Sequence, residues 1–336
     1  MLHADRIVLA ERPKGQPTPA AFRLEEFELP EPAAGEVLVR TLYLSLDPYM
    51  RTRMNDAPSY AAPVALGEVM TGETVGVVER DRSGRFKPGD IVRCYSGWQS
   101  AFVAAAAQLS LVDQALGPVS TALGVLGMPG LTAYAALEAI AKPQAGETIV
   151  IGAAAGPVGA LAGQLARLRG LHTVGIAGGA DKCRYVTSEL GFNVCLDRRQ
   201  DDMASQLGEA CPNGVDIYME LTGGQVLEAV LPLMNLHGRI PVIGIIAWYN
   251  ASGRPEGADQ LPDFMRQVLY KRLHVEGMIV SDLAELRPAF EREVSARLKA
   301  GEIVYKEDIV EGLANAPDAF IGLLEGRNFG KLLVKI

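Results

Sequence analysis

The sequence predicts an α/β fold in which a doubly wound parallel sheet is joined to a second, mainly β domain. Residues 1–121 carry short β-type runs separated by Gly and Pro turns, whereas strand-like and helix-like runs alternate after Gly127. The last run, 330–336, is strand-like and no helix follows it. We therefore expect a β-rich domain made of 1–121 and 301–336, and an α/β domain over 122–300.

Three apolar runs predict strands of the β-rich domain. They lie at 35–44, 71–80 and 91–95, and a Pro-Gly turn at 87–90 precedes the third. Short strands at this spacing, joined by tight turns, are typical of a small antiparallel barrel or sandwich.

Six strand-like runs predict the sheet of the α/β domain. They lie at 147–151, 172–176, 193–196, 215–220, 239–243 and 275–279, with helical patterns such as 157–169 and 181–190 between them. Strands separated by crossover helices form a parallel sheet, and its ligands bind beyond the carboxyl ends of the strands.

Charge and composition restrict the class of partner. The 336 residues carry a net charge of −8 and no cluster of Lys and Arg, which argues against nucleic acid or an anionic membrane surface. The apolar stretches are broken by Gly and Pro, and the first residues lack a signal-peptide pattern. The four cysteines lie far apart with no CxxC pair, so neither a disulfide framework nor a zinc cluster is expected. We expect a cytoplasmic protein that acts on a small molecule.

The segment 152–159 has the pattern of a phosphate-binding loop. Aligned with GxGxxG, it places Ala154, Gly156 and Gly159 at the three glycine positions. Pro157 suits the first position of a helix, whose free N–H groups would bind a pyrophosphate. The alternative is a tight strand-to-helix turn without a ligand, but the preceding strand and following helix favour a dinucleotide.

The end of the second strand favours NADPH over NADH. Residues 177–180 lack the Asp or Glu that binds the ribose 2′-hydroxyl of NAD, and Lys182 and Arg198 follow adjacent strands. Hydrogen bonds to charged groups contribute about 1.5–3 kcal/mol each, so one cation favours NADPH by about tenfold or more. We expect Asp181 to cap the next helix. The alternative is that both cations are solvated surface charges.

The order of the two domains resembles the medium-chain dehydrogenase/reductase superfamily, in which a GroES-like barrel precedes a Rossmann domain. Its zinc alcohol dehydrogenases carry a zinc-binding Cys and a Gly-His-Glu motif at positions that look like Ser45 and Gly72-Glu73-Thr74 here. The structural zinc lobe is also missing. We therefore expect no metal. The oxyanion formed during the reduction must then be stabilised without a Lewis acid, and this favours a reaction that passes through an enolate over one that passes through an alkoxide.

Five segments resemble one zinc-free branch, the leukotriene hydroxydehydrogenase, prostaglandin reductase and 2-alkenal double-bond reductase family. The most specific are Asp-Pro-Tyr-Met-Arg at 47–51 and Gly-Met-Pro-Gly-Leu-Thr-Ala-Tyr at 127–134. The others are the glycine loop at 153–159, Trp-Tyr-Asn at 248–250 and Gly-Arg-Asn-Phe-Gly-Lys at 326–331. The resemblance runs along essentially the whole chain.

The resemblance implies roles for individual residues. Thr132 and Asn328 would contact the nicotinamide half of NADP(H), Lys182 the 2′-phosphate, and Tyr249 the nicotinamide ribose on the substrate side. Tyr49 would line the substrate entrance. The complete set of predicted cofactor-binding residues is Thr132, Ala155, Gly156, Val158, Gly159, Gly178, Lys182, Arg198, Gly244, Tyr249 and Asn328. The chain departs from the family where Arg198 replaces a usual Tyr and Ala247 a usual Ser.

The implied reaction is NADPH-dependent reduction of the C=C bond of α,β-unsaturated aldehydes or ketones by a homodimer. Tyr249 and Tyr49 are the catalytic candidates. Tyr249 and the ribose hydroxyl are candidates to hydrogen-bond the carbonyl oxygen, because a phenol donates a hydrogen bond or a proton at neutral pH, and Tyr49 would contact the substrate. The alternative roles are loop packing for Tyr249 and barrel packing for Tyr49. We expect Arg51 to form a structural ion pair and 250–257 to act as a mobile lid. Quinone reduction and a non-catalytic NADPH-binding protein remain alternatives.

Overall fold

The computed structural model describes residues 2–251, 253 and 259–336. Its strands are β1 Leu2–Leu9, β2 Phe22–Leu29, β3 Glu36–Ser45, β4 Thr74–Asp81, β5 Ile91–Cys94, β6 Ala101–Ala105, β7 Ser110–Leu111, β8 Thr148–Ile151, β9 His172–Ala177, β10 Val194–Asp197, β11 Val215–Met219, β12 Met234–Val242, β13 His274–Gly277, β14 Glu307–Glu311 and β15 Lys331–Lys335. Its α-helices are α1 Met50–Arg53, α2 Met128–Ala135, α3 Pro157–Leu168, α4 Ala180–Ser188, α5 Met203–Ala210, α6 Gly224–Val230, α7 Leu261–Lys271, α8 Arg287–Lys299 and α9 Ala316–Glu325. None of the described helices is long and apolar enough to cross a bilayer.

The chain divides into two compact units. The β unit comprises Met1–Gly124, Tyr249–Ser252 and Glu307–Ile336, and the Rossmann unit comprises Val125–Trp248 and Gly253–Lys306. The boundaries therefore fall a few residues beyond those expected from the sequence. Sequence analysis did not predict that Tyr249–Ser252 belongs to the β unit, because so short a segment shows no strand or helix pattern.

The Rossmann unit contains a six-stranded parallel sheet, which confirms the predicted fold class. The strand order is β10-β9-β8-β11-β12-β13. All four residues of β8 are buried, as expected for a strand covered on both faces. The connection reverses direction between β8 and β11, and the crevice beyond the carboxyl ends of these two strands is where such sheets bind ligands.

The β unit contains a seven-stranded sheet and a separate pair, β1 and β2. The path of the larger sheet is β14-β15-β3-β4-β5-β7, and β6 also pairs with β3. The pairing is antiparallel except for β14 and β15, which are parallel. This departs from the antiparallel prediction, and the reason is that α9 carries the chain back from the end of β14 to the start of β15.

An aromatic core supports the segment around α1. The rings of Phe22 and Trp98 are stacked with centroids 5.5 Å apart, and Phe320 meets Trp98 edge-on at 5.6 Å. Met50, the first residue of α1, and Met54, which directly follows the helix, are buried in the same cluster. The cluster therefore fixes the position of α1, and Tyr49, which directly precedes the helix, packs against the same cluster.

The four cysteines are free thiols packed into the fold. Cys94 and Cys211 are buried, while Cys183 and Cys195 are half-buried and lie in contact. Burial raises the pKa of Cys94 and of Cys211 to about 11. Burial also raises the pKa of Cys183 and Cys195. Each thiol therefore stays protonated at neutral pH.

Candidate active site

The loop between β8 and α3 presents a helix N-terminus. Gly156 is the residue before α3, and its N–H donates to the carbonyl of Ala153 at 2.8 Å. The next N–H groups, of Val158 and Gly159, have no acceptor within the helix, because the first turn of a helix never provides one. A Cβ on Gly159 would lie 2.6 Å from the carbonyl oxygen of Ala153, so only glycine fits there. The loop is thus shaped to bind an anion with backbone N–H groups.

Ala154 stands at the first glycine position because that position does not need glycine here. The left-handed conformation falls on Ala153, with φ of 48°. Ala154 is buried, and its N–H donates to the carbonyl of Ile176 at 3.0 Å. Gly175 leaves room for the methyl group, since a Cβ at 175 would lie 2.8 Å from that of Ala154.

The corner after β9 and β10 gathers positive charge. A Cβ on Gly178 would lie 3.3 Å from Nε of Arg198 and 3.5 Å from Nε of Arg199. The carboxylate of Asp197 accepts the N–H of Gly179 at 2.8 Å and that of Arg199 at 3.0 Å, which fixes the two loops together. Lys182 lies half-buried in the first turn of α4. Arg199 was missed in the sequence, although it adjoins Arg198.

Asp181 does not cap α4, contrary to our prediction. The residue before the helix is Gly179, with φ of 100°, and Asp181 lies inside the first turn. Its carboxylate instead pairs with Arg184 at the surface. A cap must lie in the extended residue before the helix, and the positive φ required there selects glycine.

The turn after β11 is organised by one buried carboxylate. Oε1 of Glu220 accepts the N–H of Thr222 and the N–H of Gly223, each at 2.7 Å, and the hydroxyl of Tyr218 at 3.1 Å. Burial raises the pKa of Glu220. The backbone carbonyl of Glu220 also accepts the N–H of Gly244 at 3.1 Å, so this residue connects the loops after β11 and β12. Sequence analysis missed Glu220, whose signal was an acid at a strand end with two glycines three and four residues later.

The Thr222–Gly223 turn supports Trp248. A Cβ on Gly223 would lie 2.8 Å from the Trp248 ring, which leaves no space for a side chain. Gly223 also has φ of 72°, a conformation that favours glycine. The N–H of Ala247 donates to the carbonyl of Thr222 at 2.9 Å.

The predicted cofactor-binding residue Thr132 lies in α2 and is buried. Its hydroxyl donates to the carbonyl of Met128 at 2.8 Å.

Tyr49 has a buried hydroxyl. Among the residues that the structure describes, no group hydrogen-bonds to it. Burial raises the pKa of Tyr49 well above 10, and the nearby carboxylate of Asp47 adds to the effect. The hydroxyl therefore remains a hydrogen-bond donor at any ordinary pH.

More tyrosines surround this hydroxyl in the β unit. Tyr60 and Tyr95 lie close enough to interact electrostatically with Tyr49, and Tyr249 does so with Tyr60. The rings of Tyr60 and Tyr95 are exposed. The two predicted catalytic tyrosines, Tyr49 and Tyr249, thus belong to one neighbourhood of the β unit.

The predicted cofactor-binding residue Asn328 precedes β15, and its Nδ2 donates to the carbonyl of Gly330 at 2.9 Å.

The positions compared with zinc ligands have protein partners. The hydroxyl of Ser45 donates to Asp47, and Glu73 forms a buried ion pair with Arg93 at 3.1 Å. Within the described ranges, no group of three or more His, Cys, Asp or Glu side chains is arranged for a metal ion.

The expected ion pair of Arg51 is wrong for the described residues. Its guanidinium donates to the carbonyls of Pro13 and Gly15 and to the side chains of Asn55 and Asn250. No carboxylate in the described part of the chain lies within ion-pair distance, because α1 packs against loops that offer backbone and amide oxygens. Most of the proposed lid, 250–257, lies outside the described residues.

Comparison with known proteins identifies the family. The model of the N-terminal domain of oxidoreductase matches residues 5–112, and that of zinc-binding dehydrogenase matches residues 157–296. The NADPH-dependent curcumin reductase of Escherichia coli is 51% identical over 98% of this chain and 96% of the relative. The NADP-dependent 2-alkenal reductase of Nicotiana tabacum is 39% identical over 93% of this chain and 90% of the relative. The crystal structure of CurA from Vibrio vulnificus in complex with NADPH is 46% identical, with a TM-score of 0.95 over 98% of both chains.

Fold and matches together define an oxidoreductase of the medium-chain dehydrogenase/reductase class. The chain belongs to its zinc-independent family of leukotriene hydroxydehydrogenases, prostaglandin reductases and 2-alkenal reductases. This confirms the resemblance seen in the sequence. The zinc-binding dehydrogenase match covers 157–296, so the positions compared with zinc ligands, Ser45 and Glu73, lie outside it.

Proposed function

We propose that this NADP-dependent oxidoreductase reduces the carbon–carbon double bond of small α,β-unsaturated aldehydes and ketones. Hydride is delivered to the β-carbon, and the resulting enolate is protonated at the α-carbon. The observation that carries the proposal is the buried hydroxyl of Tyr49, which has no partner among the described residues. Such a hydroxyl costs about 1–3 kcal/mol when unpaired, and the carbonyl oxygen of a substrate would offset that cost.

The Rossmann unit supplies a fitting set of donors for NADPH. The N–H groups of Val158 and Gly159 at the start of α3 would hold the pyrophosphate, and Lys182, Arg198 and Arg199 would hold the 2′-phosphate. When bound, NADPH supplies the hydride. By family resemblance we also propose cofactor contacts from Thr132, Ala155, Gly178, Gly244, Tyr249 and Asn328.

The two catalytic tyrosines would have different tasks. Tyr49 donates a hydrogen bond to the substrate's carbonyl oxygen, and this bond strengthens as negative charge develops there. Tyr249 donates a proton or a hydrogen bond to the enolate, since a phenol remains protonated at neutral pH. A preorganised donor in a water-poor site stabilises the transition state more than the ground state.

The test is an NADPH oxidation assay with a panel of one alkenal, one vinyl ketone, one quinone and one simple aldehyde. It is repeated with NADH and with a chelator, and the products are identified. We expect the saturated carbonyl product, preference for NADPH and no effect of the chelator. NADPH carrying deuterium at C4 should leave deuterium on the β-carbon.

Other outcomes select the alternatives. Activity on the quinone alone would indicate a quinone oxidoreductase with the same fold and cofactor. Tight NADPH binding without turnover of any acceptor would indicate a non-catalytic binding protein.

We also propose a homodimer formed through the edge of the Rossmann sheet. All four residues of the edge strand β13 are exposed, and α7 exposes Leu261, Met265 and Leu269 on one stripe. An exposed edge strand pairs readily with a second copy around a two-fold axis. Light scattering should give the mass of a dimer, and Val275→Lys should give a monomer, whereas Val304→Lys, elsewhere on the Rossmann unit, should not. A monomeric wild type would contradict this.

The location that we propose is the cytoplasm. Four free thiols suit a reducing compartment. Fractionation of cells that express the protein would test it, and recovery outside the cytoplasmic fraction would contradict it.

A further inference from the structure

Arg51 is held in one conformation by neutral oxygen atoms. The residue is 2% exposed. Its Nη2 donates to the carbonyl of Gly15 at 2.7 Å, Nη1 to Oδ1 of Asn55 at 2.7 Å, and Nε to Oδ1 of Asn250 at 3.0 Å. A guanidinium removed from water is stable only if its donors find acceptors. These contacts therefore fix the planar group from three directions.

The contact with Asn250 joins two segments that sequence analysis singled out separately. Arg51 ends the Asp-Pro-Tyr-Met-Arg segment, and Asn250 ends the Trp-Tyr-Asn segment, 199 residues farther along the chain. The loop that contains Gly15 packs on the same place, since a Cβ on Gly15 would lie 3.9 Å from the carbonyl oxygen of Asn250. Both the side chain and the main chain of Asn250 are thus held within the β unit.

Asn250 follows Tyr249 directly. Neighbouring Cα atoms are about 3.8 Å apart, so a fixed Asn250 restricts where the Tyr249 side chain can point. A misplacement of about 1 Å in a reacting group can cost about 100-fold in rate.

We infer that Arg51 is a positioning residue for Tyr249 and acts through its hydrogen bond to Asn250. The inference rests on the proposed function, because it assigns a task within the same reaction. Nε, Nη1 and Nη2 of Arg51 each donate to an oxygen of the protein, so we assign Arg51 no contact with the reacting atoms. The Asp-Pro-Tyr-Met-Arg and Trp-Tyr-Asn segments would then act together to orient the Tyr249 side chain.

The first test compares two partners of the same guanidinium. Asn250→Ala should lower kcat for the enone by about 10- to 100-fold and leave KM for NADPH within about twofold. Asn55→Ala removes an acceptor of similar geometry that does not adjoin Tyr249, so kcat should stay within about twofold. Asn250→Asp keeps an oxygen acceptor and should restore most of kcat. Equal losses in Asn250→Ala and Asn55→Ala would overturn the inference, because a purely structural role affects both.

The second test is a double-mutant cycle with Tyr249→Phe. If Asn250 acts through Tyr249, adding Asn250→Ala to Tyr249→Phe leaves kcat unchanged. Losses that multiply would overturn the inference. An unchanged kcat in Tyr249→Phe would overturn it as well while enone reduction stands, and a wild type inactive on every enone would contradict the proposed function itself.

Discussion

The ammonium group of Lys331 lies 2.8 Å from the carboxylate of Asp47, and both side chains are buried in the β unit. Nζ of Lys331 also donates to the carbonyl of Leu46 at 2.9 Å, while Ser45 donates to the second oxygen of Asp47. Lys331 opens β15, and Asp47 stands two residues before Tyr49. The pair therefore ties the last strand to the segment that carries the proposed hydrogen-bond donor.

Replacement of Lys331 should destabilise the protein strongly. Lys331→Met leaves the carboxylate of Asp47 buried without its cation, and the expected loss is about 3–5 kcal/mol in the free energy of unfolding. Denaturant titration followed by circular dichroism measures it. Lys335→Met on the same strand breaks an exposed pair with Glu311 and should cost less than about 1 kcal/mol. Similar losses in the two variants would contradict the importance of burial.

The arginines after β10, which we propose as the 2′-phosphate site, should determine cofactor preference. Arg198→Ala and Arg199→Ala should each lower the preference for NADPH over NADH by about tenfold or more, because each removes hydrogen bonds to a charged phosphate. The ratio of kcat/KM for the two cofactors is the measurement. Arg184→Ala, which breaks the surface pair with Asp181, serves as the control and should leave that ratio unchanged. A lower kcat/KM for both cofactors alike would contradict the assignment.

Tyr49→Phe should lower kcat for an enone by about 100- to 1000-fold, as loss of an oxyanion donor does. Because burial raises the pKa of Tyr49 well above 10, the hydroxyl loses no proton as the pH rises toward 10. The ratio of wild-type to Tyr49→Phe kcat should therefore stay constant between about pH 6 and pH 9. Tyr43→Phe, at another half-buried tyrosine of the β unit, should leave kcat unchanged. A ratio that falls with rising pH would show that Tyr49 titrates.

Glu220→Ala should loosen the turn beneath Trp248. The N–H groups of Thr222 and Gly223 would lose their acceptor, and KM for NADPH should rise by about tenfold, equivalent to about 1.4 kcal/mol. Acrylamide quenching of tryptophan fluorescence reports on Trp248, because the other tryptophan, Trp98, is fully buried. Quenching should increase in Glu220→Ala and stay unchanged in the control Glu228→Gln on the surface of α6. Unaltered quenching and KM would show that the hydrogen bonds of Glu220 do not order this turn for cofactor binding.

Local patterns explain what could be predicted from the sequence. The central strand β8 is a short, fully buried run, and the glycine loop has its motif within eight residues, so both follow from neighbours along the chain. The same holds for Lys182 and Arg198, which lie just after strand ends. In the structure, Arg198 directly follows β10 and Lys182 lies in the first turn of α4, as their places in the sequence indicate.

Features that depend on distant partners could not be predicted. Arg51 was expected to meet a carboxylate, yet besides the nearby Asn55 its acceptors come from Gly15 and Asn250, 36 and 199 residues away in the chain. Glu220 looked like an ordinary strand end, and its importance arises only where the loops after β11 and β12 meet. Tertiary contacts decide both cases, and a single sequence does not contain them.

The raised pKa values of all four thiols have a consequence for the proposed reduction of conjugated carbonyl compounds. Such compounds are soft electrophiles that alkylate cysteine by conjugate addition, and the attacking species is the thiolate. Since the pKa of every cysteine is raised, little thiolate exists at neutral pH, and burial restricts access further. An enzyme with the proposed function would thereby be protected from alkylation by its own substrates.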